Sequence, residues 1–379
     1  MKKPIMEEAL AEETGIDWSQ APSPAFVVDE RLLERNLKLL KSVQDRTNCD
    51  ILLALKGFSM WSTFPMARNY LAGITSSSLF EARLGFEEFG KEVHAYAPAY
   101  AEHEIDEYLT YVDHIVFNSF DQLNKYKDKV LNHEKNISIG LRVNPGYSEV
   151  ETPLYDPCYI NSRLGIPFES FKPDELDGVE GIHFHAMCEQ GAEVLERILV
   201  HFEEKYGKYL HQMKWINFGG GHHITKPGYN VELLVSLINR IQETYDVKVI
   251  LEPGEAIALN TGYLVATVLD IVHNGMELAI VDSSATCHMP DTLEMPYRAH
   301  IIGSGQPNEK AYTYRLGGMT CLAGDIIGDY SFDEPLQAGD KIVFTDMAHY
   351  TMVKTHMFNG VNLPSICTYN DEQGIKVIR

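Results

Sequence analysis

The chain has 379 residues, 45% of them hydrophobic, and its 54 acidic and 32 basic side chains give a formal net charge of −22. This length and apolar content support a large barrel with a second, smaller domain, while the acidity disfavours nucleic acid and anionic membrane surfaces and favours cationic ligands. No run of about 18 or more apolar residues occurs. The start, Met1-Lys-Lys-Pro-Ile-Met-Glu-Glu, has charges where a signal peptide carries its apolar core, so a cytoplasmic location is expected. Cys49, Cys158, Cys188, Cys287, Cys321 and Cys367 lack the paired spacing of a zinc site or disulfide scaffold, and are expected to be reduced thiols.

In chain order, Pro24–Asp29 reads as a strand, and Glu30–Val43 as a helix with leucines at 32, 33, 37 and 40. Strand-like apolar runs follow at Ile51–Leu55, Val93–Ala97, His114–Phe117, Ile137–Val143, Gly181–Phe184, Trp215–Phe218 and Val247–Leu251. Amphipathic stretches separate them at Leu79–Phe89, Phe120–Leu131, Glu193–His211 and Val231–Tyr245. This alternation predicts an α/β architecture, a (β/α)₈ barrel over residues 32–265. Beyond about Ala266, Glu277–Val281, Tyr312–Arg315, Lys341–Thr345 and Gly374–Ile378 are separated by turn residues and predict an antiparallel β domain over 266–379, with residues 1–31 packing on it.

Chemistry in such barrels gathers at the C-terminal ends of the strands. Ile51-Leu-Leu-Ala-Leu-Lys56 puts a lysine just past a buried strand, where desolvation favours the neutral, nucleophilic amine needed for a Schiff base to an aldehyde cofactor. Alternation places His183 and His185 on one side of their strand, suited to stacking on a ring or to binding metal. With His222 and His223 they admit a metal-dependent hydrolase as a competing reading, but no carboxylate at ligand spacing completes such a site, and no metal is expected. Gly219-Gly220-Gly221 suits a phosphate. Glu252, fixed by Pro253-Gly254, suits a pyridinium nitrogen or an ion pair with Arg142. In the β domain, Gly317-Gly-Met-Thr-Cys321-Leu-Ala-Gly-Asp325 combines a thiol, glycines and an acid.

Lys56, His185, Gly219–Gly221, Glu252, Cys321 and Tyr350, in this order, resemble the alanine-racemase-like pyridoxal phosphate decarboxylases, which act on ornithine, diaminopimelate, arginine and carboxynorspermidine. The resemblance runs from Pro24–Asn36 to Thr355–Gly360. It implies that Lys56 holds pyridoxal 5'-phosphate covalently, His185 stacks on its ring and Glu252 pairs with its nitrogen. Gly219, Gly220, Gly221 and Tyr350 would hold the phosphate. Cys321 and Asp325 would enter the site from the partner subunit of a head-to-tail homodimer.

Two departures narrow the substrate. The ornithine and diaminopimelate enzymes have an arginine after the Glu-Pro-Gly turn, where this chain has Glu255; diaminopimelate enzymes follow the cysteine with glutamate, where this chain has Leu322. With Ala54-Leu-Lys-Gly-Phe-Ser59, these forms resemble the carboxynorspermidine/carboxyspermidine decarboxylases. That resemblance implies Cys321 as proton donor at Cα and a role in polyamine biosynthesis. Glu255, Asp291 and Asp325 are the candidates to meet the substrate's cationic amines. A same-fold decarboxylase of ornithine, arginine or diaminopimelate, a racemase, and a non-catalytic regulator of the polyamine pathway are the alternatives.

Overall fold

The computed structural model describes residues 14–379, so the opening segment on which the cytoplasmic expectation rests lies outside the described residues. The chain divides into two compact units. One holds the described residues up to Leu33 with Ala258–Arg379, and the other is Glu34–Ile257.

In Glu34–Ile257, eight parallel strands pair in sequence order and close on themselves: Asp50–Ala54, Gly73–Ser76, Glu92–Tyr96, His114–Phe117, Ser138–Asn144, Gly181–His183, Trp215–Asn217 and Lys248–Leu251. Seven of them lie at the runs read from the sequence. Gly73–Ser76 is an addition: Gly-Ile-Thr-Ser carries no apolar run, and only its neighbours on both sides define it as a strand.

The interior is filled by side chains. Leu52, Val116, Trp215 and Ile250 form a buried cluster, with Tyr96 packed against it. Trp215 is the largest of these, and two glycines on adjacent strands make its space: a Cβ at Gly181 would lie 2.1 Å from its ring, and one at Gly140 2.3 Å. Trp215 Nε1–H donates to Ser138 Oγ at 2.9 Å, which satisfies the one polar atom of the indole.

The other unit is built on a mixed sheet. Gly262–His273 pairs antiparallel with Ala25–Asp29, Glu277–Val281 and Lys341–Thr345, whereas Ala25–Asp29 with Ser365–Asn370 and Glu277–Val281 with Tyr312–Gly317 run parallel. The chain returns to this unit at Ala258, just ahead of the long strand from Gly262 that is hydrogen-bonded into this sheet. Phe26, Leu264, Val281, Leu316, Tyr330 and Phe344 contribute to its main core.

Replacing Gly181 by alanine should lower stability by about 1–3 kcal/mol, the usual cost of overpacking a filled interior. A denaturant midpoint unchanged from wild type would show that Trp215 can move aside.

Candidate active site

Glu252, Asn217, Thr75 and His183 meet beneath the C-terminal mouth of the barrel. Glu252 follows the strand Lys248–Leu251 and is 8% exposed, a position where a carboxylate needs donors. Asn217 Nδ2 donates to its Oε1 at 2.8 Å, and Thr75 also bonds to it. His183 Nε2 lies 3.6 Å from Oε2. Burial raises the carboxyl's pKa, but His183, Asn217 and Thr75 outweigh it, so Glu252 lies below the ordinary value and stays ionised.

Lys56 follows the neighbouring strand. Its side chain is open to solvent although protein surrounds its amine, as on the floor of a recess. Crowding by protein, then repulsion from the Arg142 guanidinium, lowers its pKa, with Glu252, Cys188 and Glu81 opposing weakly. A larger share of its amine is therefore neutral near pH 7 than for a surface lysine.

The glycine run binds differently from its sequence impression. Gly219 N–H donates to Asn217 Oδ1 at 2.7 Å, and Gly220 N–H to His185 Nδ1 at 2.8 Å, so two of its three amides serve the protein. The φ angles of +69° at Gly219 and +81° at Gly221 form the turn, and the Gly221 amide lies outside these two bonds. The bond from Gly220 fixes the His185 tautomer with its proton on Nε2. Burial then holds the ring's pKa well below the ordinary value and keeps it neutral, suited to lie flat on an aromatic cofactor. Glu255 opens the helical turn Glu255–Ala258, with His223 Nε2 3.5 Å from its Oε1.

Arg142, Tyr96, Thr75 and Asn217 are less evident in sequence. The Arg142 guanidinium lies over the Tyr96 ring at 4.5 Å, and Tyr96 meets His183 edge-on at 5.6 Å. Arg142, His183 and Asn217 share one row of the parallel register, a relation that strand pairing reveals and spacing does not.

In the sheet unit, Cys321 is exposed and its N–H donates to Asn359 Oδ1 at 2.8 Å. Asp325, expected to meet a substrate amine, is 3% exposed and accepts bonds from Ser284 Oγ, Ala285 N, Thr286 N, Thr320 N and Thr320 Oγ1. A carboxylate engaged by five donors has no face for a substrate; it anchors the Cys321 loop. Asp291 forms an ion pair with Lys354 at 2.5 Å. Tyr350 has φ +38°, a strained value of the kind that gathers at functional sites.

Among the described residues, Glu92, His94 and His114 place ligand atoms within 4.8 Å of one another. The rings of His94 and His114 are stacked 3.9 Å apart and 8° from parallel, so their lone pairs run side by side instead of converging on an ion. His183, His185, His222 and His223 form no such group among the described residues.

A recessed lysine amine, a neutral imidazole, a glycine turn with an available amide and a buried ionised carboxylate fit pyridoxal phosphate. On a (β/α)₈ barrel with a following sheet unit, they define a pyridoxal-phosphate-dependent enzyme of the alanine-racemase-like class. The family model for the pyridoxal-dependent decarboxylase C-terminal sheet domain matches residues 25–348, and the chain belongs to the pyridoxal-dependent decarboxylase family. It is 44% identical to a carboxynorspermidine/carboxyspermidine decarboxylase of Campylobacter jejuni, over 96% of this chain and 97% of that one. It is 45% identical to a carboxyaminopropylagmatine decarboxylase of Synechocystis, over 92% and 90%. The crystal structure of carboxynorspermidine decarboxylase with norspermidine from Campylobacter jejuni superposes with a TM-score of 0.87 at 43% identity, covering 94% of this chain and 96% of that one. No described helix is long and apolar enough to cross a membrane.

Asp325→Ala should lower stability by about 3 kcal/mol, because it leaves several buried donors unsatisfied. A denaturation curve that matches wild type would mean that the Cys321 loop does not depend on this anchor.

Proposed function

We propose that the protein decarboxylates carboxynorspermidine to norspermidine and carboxyspermidine to spermidine, in the cytoplasm, as a step of polyamine biosynthesis. The observation that carries this reading is the 44% identity, over 96% of the chain, to an enzyme of that name. Glu255 at the site's edge adds an anionic group suited to a cationic substrate. A second reading, turnover of carboxyaminopropylagmatine, has the support of the Synechocystis relative at 45% identity.

Pyridoxal phosphate, when bound, supplies a conjugated, electron-accepting ring that takes up the electron pair released with CO₂. Lys56, whose amine is recessed and partly neutral, would hold the cofactor by its aldehyde. Glu252, ionised, would accept a hydrogen bond from the ring nitrogen and favour its protonated form. His185 would stack on the cofactor's ring, and Gly221 in the barrel and, separately, Tyr350 in the sheet unit are the candidates to meet its phosphate. Cys321 donates a proton from Sγ to Cα in place of the lost carboxyl group. Glu255 receives one of the substrate's ammonium groups. Asp291 receives another by exchanging its Lys354 partner.

A head-to-tail homodimer that brings Cys321 to the partner's cofactor completes the reading. Cys321, Met319, Leu322, Met357 and Phe358 are all exposed, and the Cys321–Asn359 bond joins the two segments that carry them into one largely apolar face.

CO₂ release from carboxynorspermidine, carboxyspermidine, carboxyaminopropylagmatine, diaminopimelate and ornithine tests the substrate. Release confined to the first two is expected, and turnover of diaminopimelate or ornithine alone would overturn the reading. Glu255→Gln should raise KM for carboxynorspermidine about tenfold with a smaller change in kcat, from the loss of a charge-assisted bond; a pure kcat loss would remove Glu255 from recognition. Cys321→Ala should leave the cofactor's absorbance intact while slowing or misdirecting protonation, and unchanged kinetics with unchanged product would exclude Cys321 as donor.

A further inference from the structure

His183 is 2% exposed, yet neither of its ring nitrogens has a hydrogen-bond partner. A buried imidazole in that condition is costly unless its position serves a neighbour. Its polar neighbour at Nε2 is Glu252 Oε2, 3.6 Å away. The other oxygen, Oε1, already accepts from Asn217.

The ring is also held in place. Tyr96 meets it edge-on at 87°, Arg142 covers the Tyr96 ring, and Tyr96 Oη–H donates to Asn118 Oδ1 at 2.8 Å. Parallel register places Arg142 on one side of His183 and Asn217 on the other. Burial, then repulsion from Arg142, Lys56 and His94, outweighs attraction by Glu252 and pushes the His183 pKa down to about 4. The imidazole is neutral at pH 7, and repulsion by the Arg142 charge helps to keep it so.

We propose that His183 is a positioning residue for Glu252: its Nε2–H faces Oε2 and, with Asn217 on Oε1, sets the plane of the carboxylate toward the cofactor's ring nitrogen. Asn217 and Thr75 already bond to Glu252, and a donor 3.6 Å from Oε2, close enough to tighten onto it when the ring nitrogen draws on the carboxylate, adds a restraint on rotation about the carboxylate's last bond. A neutral donor does this without adding a second positive charge to compete with the pyridinium for Glu252. His183 touches neither substrate nor cofactor in this role, and acts through Glu252 alone. The inference rests on the pairing of Glu252 with the cofactor.

The test is a double-mutant cycle on the full-length holoprotein, read by the cofactor's dissociation constant, its absorbance spectrum, and kcat and KM. His183→Phe keeps a ring and removes the donor, whereas His183→Gln keeps a donor. The Phe variant should bind pyridoxal phosphate about 10-fold more weakly, the loss usual when an outer partner of a liganding group is removed. Its absorbance band should shift and kcat should fall with KM little changed, while Gln should recover most of the affinity. In a Glu252→Gln background the Phe substitution should have no further effect, because its route is gone. Equal losses in both His183 variants, additivity with Glu252→Gln, or wild-type affinity in the Phe variant would each overturn the proposal. A wild-type chain that binds no cofactor would overturn the pairing on which it rests.

Discussion

An ionised carboxylate beneath the mouth of a barrel is tolerated only where donors surround it, and Glu252 sets that requirement for the residues around it. Asn217 meets it from the next strand, and through its other amide atom the same side chain fixes the first amide of the glycine turn. The second glycine amide fixes His185 in turn. One buried charge thus links the carboxylate, the turn and the imidazole into a continuous set of bonds.

The same layer settles the state of the lysine. The Arg142 charge and the surrounding protein disfavour a second cation, so the Lys56 pKa falls even though its side chain is open to solvent. Arg142 itself is held over Tyr96 and reaches the carbonyl of His185 at 3.5 Å. Recess and neighbouring charge act together on the amine, and an open-surface lysine has neither.

Much of this was legible in the chain. Lys56, His185 and Glu252 each follow a short apolar run, and barrel chemistry sits at strand ends. What stayed hidden depends on pairings across the fold. Thr75 and Tyr96 are uncharged strand residues that only the folded barrel brings to the site, Thr75 against Glu252 and Tyr96 against Arg142 and His183. Asp325 looked like a free acid because Ser284, which holds it, is 41 residues away in sequence. Asp291 likewise showed no sign of Lys354, 63 residues on. The three glycines suggested three phosphate-binding amides, and the two engaged by Asn217 and His185 could be found only from the folded turn.

The measurement that tests the account most directly is borohydride reduction of the protein reconstituted with pyridoxal phosphate, followed by peptide mapping. A single reduced linkage, at Lys56, is expected, formed near neutral pH where surface lysines are charged. Label spread over surface lysines, or a protein that retains no cofactor, would contradict it.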